Sequence, residues 1–404
     1  MRDFCVRSFG AANQRRKANL RGGAVCRFQM SRLQRNYMKK PVRILLKCVL
    51  SVVLVVITLF AAYAGYYFIS YRRIGDTFVV PERGTNETKL PSTTTSFALL
   101  SWNVGFGAYS ADYSFFMDGG KYSRAFSEEA VQSNLDGVIQ TVKDKSADYG
   151  RFGDFDFLCF QEVDFDSTRS YKVNEHAKLA GAFSSYWASY VQNYDSPYLI
   201  YPFNSPHGAN KSGMSTFCKY TIEQTRRVEL PVESGLKKVV DLDRCLSVNR
   251  IPVNNGKTLV LINLHLTAYS SDGSIATKQL EKLIALCDEE VKAGNYVVCA
   301  GDFNKDLKGN AAENYKGKED YSWAKPFDMS LLEGSSMKLV VPEGENGVEV
   351  PSCRNADAPY NPDQFVVTLD GFLVSSNLYV SDKGVIDTGF KYSDHNPVYL
   401  KFRL

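Results

Sequence analysis

Val297-Val298-Cys299-Ala300-Gly301-Asp302-Phe303-Asn304 is the stretch on which the reading of this chain turns. Apolar and small residues run together and stop at a carboxylate, with a carboxamide two positions on. A short apolar run closed by glycine reads as a strand buried on both faces. The polar pair then stands where the strand runs out. One such residue is explained by a turn, where Asp and Asn are common. The pattern recurs, however. Leu99-Leu100-Ser101-Trp102 ends in Asn103, and Phe157-Leu158-Cys159-Phe160 ends in Gln161-Glu162. Leu261-Ile262-Asn263-Leu264 ends in His265, Phe365-Val366-Val367-Thr368-Leu369 meets Asp370, and Tyr392-Ser393 leads into Asp394-His395. These ends collect carboxylates, amides and two of the four histidines in the chain. Carboxylate and amide oxygens are the ligands of a hard divalent cation such as Mg²⁺. Imidazoles contact phosphate and move protons near neutral pH. Together they are the means for metal-assisted phosphoester cleavage.

Around these ends the chain is rich in strands. Runs at 97–102, 155–161, 259–264, 296–300, 365–369 and 398–402 have β-type composition. Two amphipathic helices stand out. Val131, Leu135, Val138, Ile139 and Val142 share one face behind Ser127, Glu128 and Glu129, and Leu280, Leu283, Ile284, Cys287 and Val291 share another that stops at Gly294. Regular βαβ alternation is not sustained, and neither a repeat nor a second linker follows Phe97. The expected class is α+β, a mostly antiparallel sandwich.

The chain has 404 residues, 44% hydrophobic and 23% charged, which excludes a disordered, collagen-like or coiled-coil protein. Its net charge of +4 averages two unlike parts. Residues 1–47 hold 13 Lys/Arg and one acid, leaving 35 bases (48 less 13) against 43 acids (44 less 1) in the remainder. No charged residue occupies positions 48–71, a run long enough to cross a bilayer as a helix. Tyr63, Tyr66, Tyr67 and Tyr71 crowd its far end like an interfacial belt. Ala62-Tyr63-Ala64 resembles a signal-peptide cleavage site, but the long basic leader and the apolar run on to Ile69 favour an uncleaved anchor. The positive-inside bias places the N-terminus in the cytoplasm and everything after the span outside. The expected organisation is a basic cytoplasmic arm (1–47), a transmembrane helix (48–71), a polar linker (72–96) and one external domain (97–404). Of nine cysteines, Cys159, Cys287 and Cys299 read as core thiols, while pairing among Cys218, Cys245 and Cys353 stays open.

Ser-Trp-Asn-Val (101–104), Phe-Gln-Glu-Val (160–163), Asn-Leu-His-Leu (263–266), Gly-Asp-Phe-Asn (301–304), Thr-Leu-Asp-Gly-Phe (368–372) and Ser-Asp-His-Asn-Pro-Val (393–398) occur in this order. The series resembles the endonuclease/exonuclease/phosphatase superfamily, with its deoxyribonuclease-I-like fold, over 97–404. The resemblance implies a four-layer α/β sandwich with two mostly antiparallel central sheets, here preceded by a single transmembrane helix. It implies Glu162 as the main Mg²⁺ ligand (Mn²⁺ being the alternative cation), with Asn103 beside it and Asp394 near the metal. Asp302 would orient or deprotonate the attacking water and Asn304 would hold the phosphate. His395 would contact the scissile phosphate, kept in its tautomer by Asp370, and His265 fills the second-histidine position. Which group is the general base stays open. Abasic-site endonucleases have an acid where this chain has Gly105, and many relatives have an aromatic where it has Gly371, which weighs against DNA repair. His176, in a helical stretch, and His207, in a solvated loop at 202–213, read as bystanders.

The function implied is a membrane-anchored, Mg²⁺-dependent phosphodiesterase, nuclease-like, acting outside the cytoplasm on nucleic acid or a phospholipid headgroup. The alternatives are a sphingomyelinase-like enzyme or inositol-phosphate phosphatase, and a catalytically dead binding domain on a membrane stalk. Residues 48–404 carry a net −8 (35 less 43), so no broad basic surface for duplex binding is expected.

Overall fold

A computed structural model describes residues 7–70, 73–86, 88–92, 95–233, 242–268, 273–309, 311, 323–344 and 348–404, with side chains from Lys39 onward. The chain divides into two units, Met1–Ile69 and Ser70–Leu404. The first is a single helix, α1 (Arg7–Ser70), of which Lys39–Ser70 is long and apolar enough to cross a membrane. The border expected at Lys47 falls inside this continuous helix.

In the second unit the strands are β1 (Thr77–Val79), β2 (Phe97–Asn103), β3 (Phe157–Asp164), β4 (Trp187–Asp195), β5 (Lys211–Cys218), β6 (Gln224–Glu229), β7 (Cys245–Pro252) and β8 (Thr258–His265). They continue as β9 (Tyr296–Asp302), β10 (Met337–Val340), β11 (Cys353–Arg354), β12 (Val366–Val367), β13 (Asp370–Ser375), β14 (Tyr379–Val385) and β15 (Val398–Arg403). Helix α2 (Glu128–Tyr149) lies between β2 and β3, α3 (Glu175–Ala182) follows β3, and α4 (Ser274–Lys292) lies between β8 and β9. One sheet has the order β1-β6-β7-β8-β9-β13-β10 and the other β14-β15-β2-β3-β5-β4. Among the described residues only β2–β3 and β8–β9 pair in parallel, and those are the two pairs joined through a long helix.

Strand alternation builds the layers. Phe97, Leu99, Phe157 and Cys159 face Leu259, Leu261, Val298 and Ala300 between the sheets. The alternate residues of β2 and β3 (Ala98, Leu100, Trp102, Leu158, Phe160) lie under Val138, Ile139 and Val142 of α2 and Leu179 of α3. Those of β8 and β9 (Val260, Ile262, Leu264, Val297, Cys299) lie under Leu280, Leu283, Ile284 and Cys287 of α4. Helix, sheet, sheet, helix: this is the expected four-layer sandwich. Each fully buried Leu stabilises it by about 1.5–3 kcal/mol, and the Ser127 hydroxyl caps α2 by accepting Ala130 N–H at 3.1 Å, worth roughly 1 kcal/mol.

Two expectations change, and one open question closes. The stretch 72–96 is not a free tether, because β1 pairs with β6, Glu82 bridges to Ala188, and Leu90 is fully buried in the inter-sheet core. Spaced single apolar residues such as these find partners only in the folded sheet. The run 365–369 is not one strand: β12 pairs only with β11, and the long strand is β13, which begins at Asp370. The thiols of Cys218, Cys245 and Cys353 are buried and unpaired, and no disulfide exists among the described residues. Strands β4 to β7 carry too many polar residues to be read as buried strands. Inside, those residues satisfy one another, with Ser189 Oγ and Thr225 Oγ1 both donating to Asn249 Oδ1 at 2.7 and 2.8 Å.

Candidate active site

Register assembles one half of the site. His265 stands opposite Asp302 in the parallel pair β8–β9, and Asp370 stands opposite Asp302 in the antiparallel pair β9–β13. Because β13 runs the other way, the residue that opens it lies at the same edge as those that close β8 and β9. Close approach here requires Gly301, at φ +148°, where a Cβ would collide with Leu264 O. Asp302 is the hub. Its Oδ1 accepts Asn304 N–H at 2.8 Å, and its Oδ2 accepts Asn103 Nδ2–H at 3.2 Å. That Oδ2 also lies 3.4 Å from His265 Nε2 and 3.8 Å from His395 Nε2. One amide proton of Asn304 is committed to Leu266 O at 2.8 Å.

The second sheet supplies the rest. Asn103 closes β2 and Glu162 lies in a bulge of β3, where pairing with β5 slips between Phe160 and Val163. Glu162 has φ +53°, a left-handed conformation that costs roughly 1–2 kcal/mol for such a residue, and Asn304 has φ +49°, which Asn tolerates more readily. The Glu162 side chain thus sits on strained backbone held by its surroundings. Asn103 Nδ2 also donates to Glu162 Oε1 at 3.2 Å, while its Oδ1 accepts Gly105 N–H at 3.0 Å. In this orientation Asn103 is a donor, and metal ligation requires its amide to turn over. Gly105 has no room for the acid found in abasic-site enzymes, because a Cβ there would lie 2.8 Å from Tyr109 and 3.2 Å from Asp394 Oδ1.

His395 is fixed from both ends. Its carbonyl accepts Trp102 Nε1–H at 2.8 Å, and its Nδ1 bonds to Asp370 Oδ2 at 2.7 Å. The Ser352 hydroxyl accepts both Leu369 N–H and Asp370 N–H, at 2.9 and 3.0 Å, and so pins the backbone beneath that carboxylate.

Burial and crowding set the electrostatics. Burial pushes the Asp302 carboxyl up to about 7, against the pull of His395 and with the charge of Asp370 adding to the rise. It pushes Asp394 up to about 6, again against His395, with Glu162 adding. Burial disfavours charge on His395, but Asp370 overcomes this and holds the imidazole well above its usual range. For His265, burial together with Arg244 and His395 holds the ring well below, hence neutral. Buried carboxylates that resist ionisation beside one another are the donor set a hard divalent cation satisfies. Asp302, Asp370 and His395 bring ligand atoms within 4.8 Å of one another. The Asp370–His395 bond already occupies that pair, so Glu162 and Asp394 are the better carboxylate ligands.

All eight site residues singled out in the sequence converge here. The remaining histidines do not. His176 Nδ1 bonds to Ser215 Oγ at 2.9 Å, and His207, expected on a solvated loop, is buried with Nδ1 bonded to Ser123 O at 2.7 Å. Sequence reasoning missed the supports. Gln161 Nε2 donates to Asn263 Oδ1 at 2.7 Å, tying the two sheets together behind the site. Buried Arg169 grips Asp164 through two bonds of 2.9 and 2.8 Å and lies 3.8 Å over the Phe106 ring, so it joins the end of β3 to the loop after Asn103. Nothing local separates Arg169 from the other bases of the chain.

With fold and site in view, the chain belongs to the endonuclease/exonuclease/phosphatase family, whose model matches residues 100–395, and it is a metal-dependent hydrolase of phosphoric esters. No curated protein matches it in sequence. Among solved structures it is similar to an endonuclease/exonuclease/phosphatase from Beutenbergia cavernae, with 14% identity and a TM-score of 0.52 over 77% of this chain and 72% of that one. A family protein from Leptotrichia buccalis aligns at 15% identity and TM-score 0.49, over 76% of this chain and 100% of the other. Truncated TDP2 from Caenorhabditis elegans aligns at 14% identity and TM-score 0.43, over 76% and 98%.

Proposed function

We propose that this protein is a Mg²⁺-dependent phosphodiesterase, anchored by Lys39–Ser70 with its N-terminus in the cytoplasm and its catalytic unit outside, acting on nucleic acid or a phospholipid headgroup. The observation that carries the chemistry is the flanking of Asp302 by two unlike imidazoles, neutral His265 and charged His395. Glu162 and Asp394, with Asn103 turned over, would hold the cation, which supplies charge to the phosphoryl oxygens. Asp302, titrating near neutrality, accepts the proton of the attacking water. His395 donates toward the phosphate from Nε2 while Asp370 holds Nδ1. A diester expels an alkoxide, so a second group at the leaving oxygen is useful, and His265 stands on that other side of Asp302.

The test is hydrolysis of bis(p-nitrophenyl) phosphate and p-nitrophenyl phosphate, side by side, by the full chain in detergent with Mg²⁺, Mn²⁺ or chelator. Metal-dependent release from the diester is expected. Release from the monoester alone would replace the diesterase with a phosphatase. Protease added to intact cells should digest the catalytic unit and spare an N-terminal tag; the reverse pattern would overturn the topology.

A further inference from the structure

Residues 196–210, Ser-Pro-Tyr-Leu-Ile-Tyr-Pro-Phe-Asn-Ser-Pro-His-Gly-Ala-Asn, include no Asp, Glu, Lys or Arg in a chain that is 23% charged. Burial, with Arg169 adding, pushes His207 down to about 4, so it too is uncharged at neutral pH. Phe203 is nevertheless 79% exposed and Tyr201 62%, with Met117 at 64% next to the Phe116 ring that packs on Tyr201. The segment is held in place. Leu199 and Gly208 exchange two backbone bonds of 3.0 Å, Ser123 Oγ donates to Ser205 O, and Arg124 Nε donates to Pro206 O.

The exposed rings lead to the site. Phe203 to Tyr201 is 6.0 Å between centroids, Tyr201 to Phe116 5.9 Å, Phe116 to Phe115 5.0 Å and Phe115 to Tyr109 5.6 Å. Tyr109 then packs on Gly105, against which Asp394 also lies. Exposed aromatics are not in themselves a surface: Phe152 is 86% exposed but is covered on one face by Arg151, 4.9 Å from its ring. What distinguishes 196–210 is an uncharged backbone run beneath several rings. Such a segment loses little on dehydration, and Tyr and Phe favour the boundary between headgroups and acyl chains. A nucleic-acid platform would pair its rings with cations along the phosphate path. The segment itself has none, the neighbouring Arg124 is bonded to Pro206 O, and Lys121 lies over Tyr122 rather than over the exposed rings.

We propose that the 196–210 loop docks into the interface of a lipid bilayer through Tyr201 and Phe203, so that the catalytic end of the aromatic ridge works against a membrane surface. The proposal rests on the reading of Lys39–Ser70 as a bilayer anchor. Six residues, 71–76, separate that helix from β1.

The experiment uses full-length Phe203→Trp and Phe152→Trp variants in phosphatidylcholine nanodiscs with and without doxyl-labelled lipid, the wild-type signal being subtracted. Docking predicts at least threefold stronger quenching by shallow doxyl groups for Phe203→Trp than for Phe152→Trp, and a blue-shifted emission. Equal quenching, or none, overturns it. Quenching of Phe203→Trp by an added single-stranded oligonucleotide but not by doxyl lipid also overturns it and makes the loop a base-stacking surface. Failure of the anchor shows separately, as release of the chain from nanodiscs by alkaline carbonate. The same doxyl contrast is then read on added vesicles, where its absence sinks the docking loop independently.

Discussion

Replacing Asp370 with Asn changes one charge and almost no volume at the bond that holds His395. That bond is 2.7 Å long between side chains that are both buried, so water does not screen it. A bond to an ionised group contributes roughly 1.5–3 kcal/mol and a neutral one about 0.5–1.5, a difference of about 1–1.5 kcal/mol, or roughly tenfold in rate. If the Asn amide turns its NH₂ toward Nδ1, the imidazole takes the other tautomer and the loss approaches about a hundredfold. Asp370→Asn should therefore lower kcat about ten- to a hundredfold with KM little changed. Without the carboxylate, burial of His395 loses its main opponent and the imidazole pKa falls, so the alkaline limb of the pH–rate profile should move to lower pH. The fold should survive, because Ser352 holds the Asp370 backbone independently of its side chain. Steady-state rates on bis(p-nitrophenyl) phosphate from pH 5 to 9 at saturating metal, with a thermal melt as control, decide the matter. A variant with kcat within twofold of the wild type and an unmoved alkaline limb would refute the role of the pair.

Asp302 and Asp394 ionise near 7 and 6 in the folded chain against about 3.9 when unfolded. The native state thus binds more protons between these values, and their contribution to stability falls as pH rises from about 4 to 7. His395, raised when folded, acts in the same direction, its contribution being complete below about 6.5 and lost as pH passes its folded value. His265 and His207, held below the usual range, act the opposite way, their contribution being lost as pH falls below about 6.5. The test is therefore on the metal: Mg²⁺ should raise Tm more at pH 8 than at pH 5, where its carboxylate ligands are protonated, and a gain independent of pH would contradict the cation site. Arg169→Gln strands the buried Asp164 carboxylate and should cost about 3–5 kcal/mol in denaturant unfolding, with Arg169→Lys no full rescue because it cannot form the fork. Wild-type stability in Arg169→Gln would show the clamp to be dispensable. Gly301→Ala sets a Cβ against Leu264 O on a φ of +148°, and a loss of about 4 kcal/mol, read in the same unfolding assay, is expected. A melt unchanged from wild type would mean that β8 and β9 can separate without cost.

Much of the site was legible because a strand end is a local event. An apolar run such as 297–300 stops where burial stops, and whatever polar residue follows is left at the sheet edge. Asn103, Glu162, His265, Asp302 and Asn304 could be found this way. Asp370 is different: it opens β13 rather than closing 365–369, and it reaches the site because that strand is antiparallel to β9. Nothing local marks β1 or Leu90 as part of the folded unit, because they gain their backbone partners from residues 130 or more positions away.

By itself the amino-acid sequence determined the apolar helix, the alternating faces of α2 and α4, and the identity of the groups at the strand ends, all set by the periodicity of neighbouring residues. Tertiary structure alone decided which of those groups meet. The row His265–Asp302–Asp370 exists because of strand register, and a slip of one residue would turn each side chain to the opposite face. The bulge that aims Glu162, the Arg169–Asp164 clamp and the burial that moves the Asp302 and Asp394 carboxyls all depend on contacts between distant segments. Burial and pairing are properties of neighbours in space, and the chain acquires those neighbours only when its two sheets close on each other.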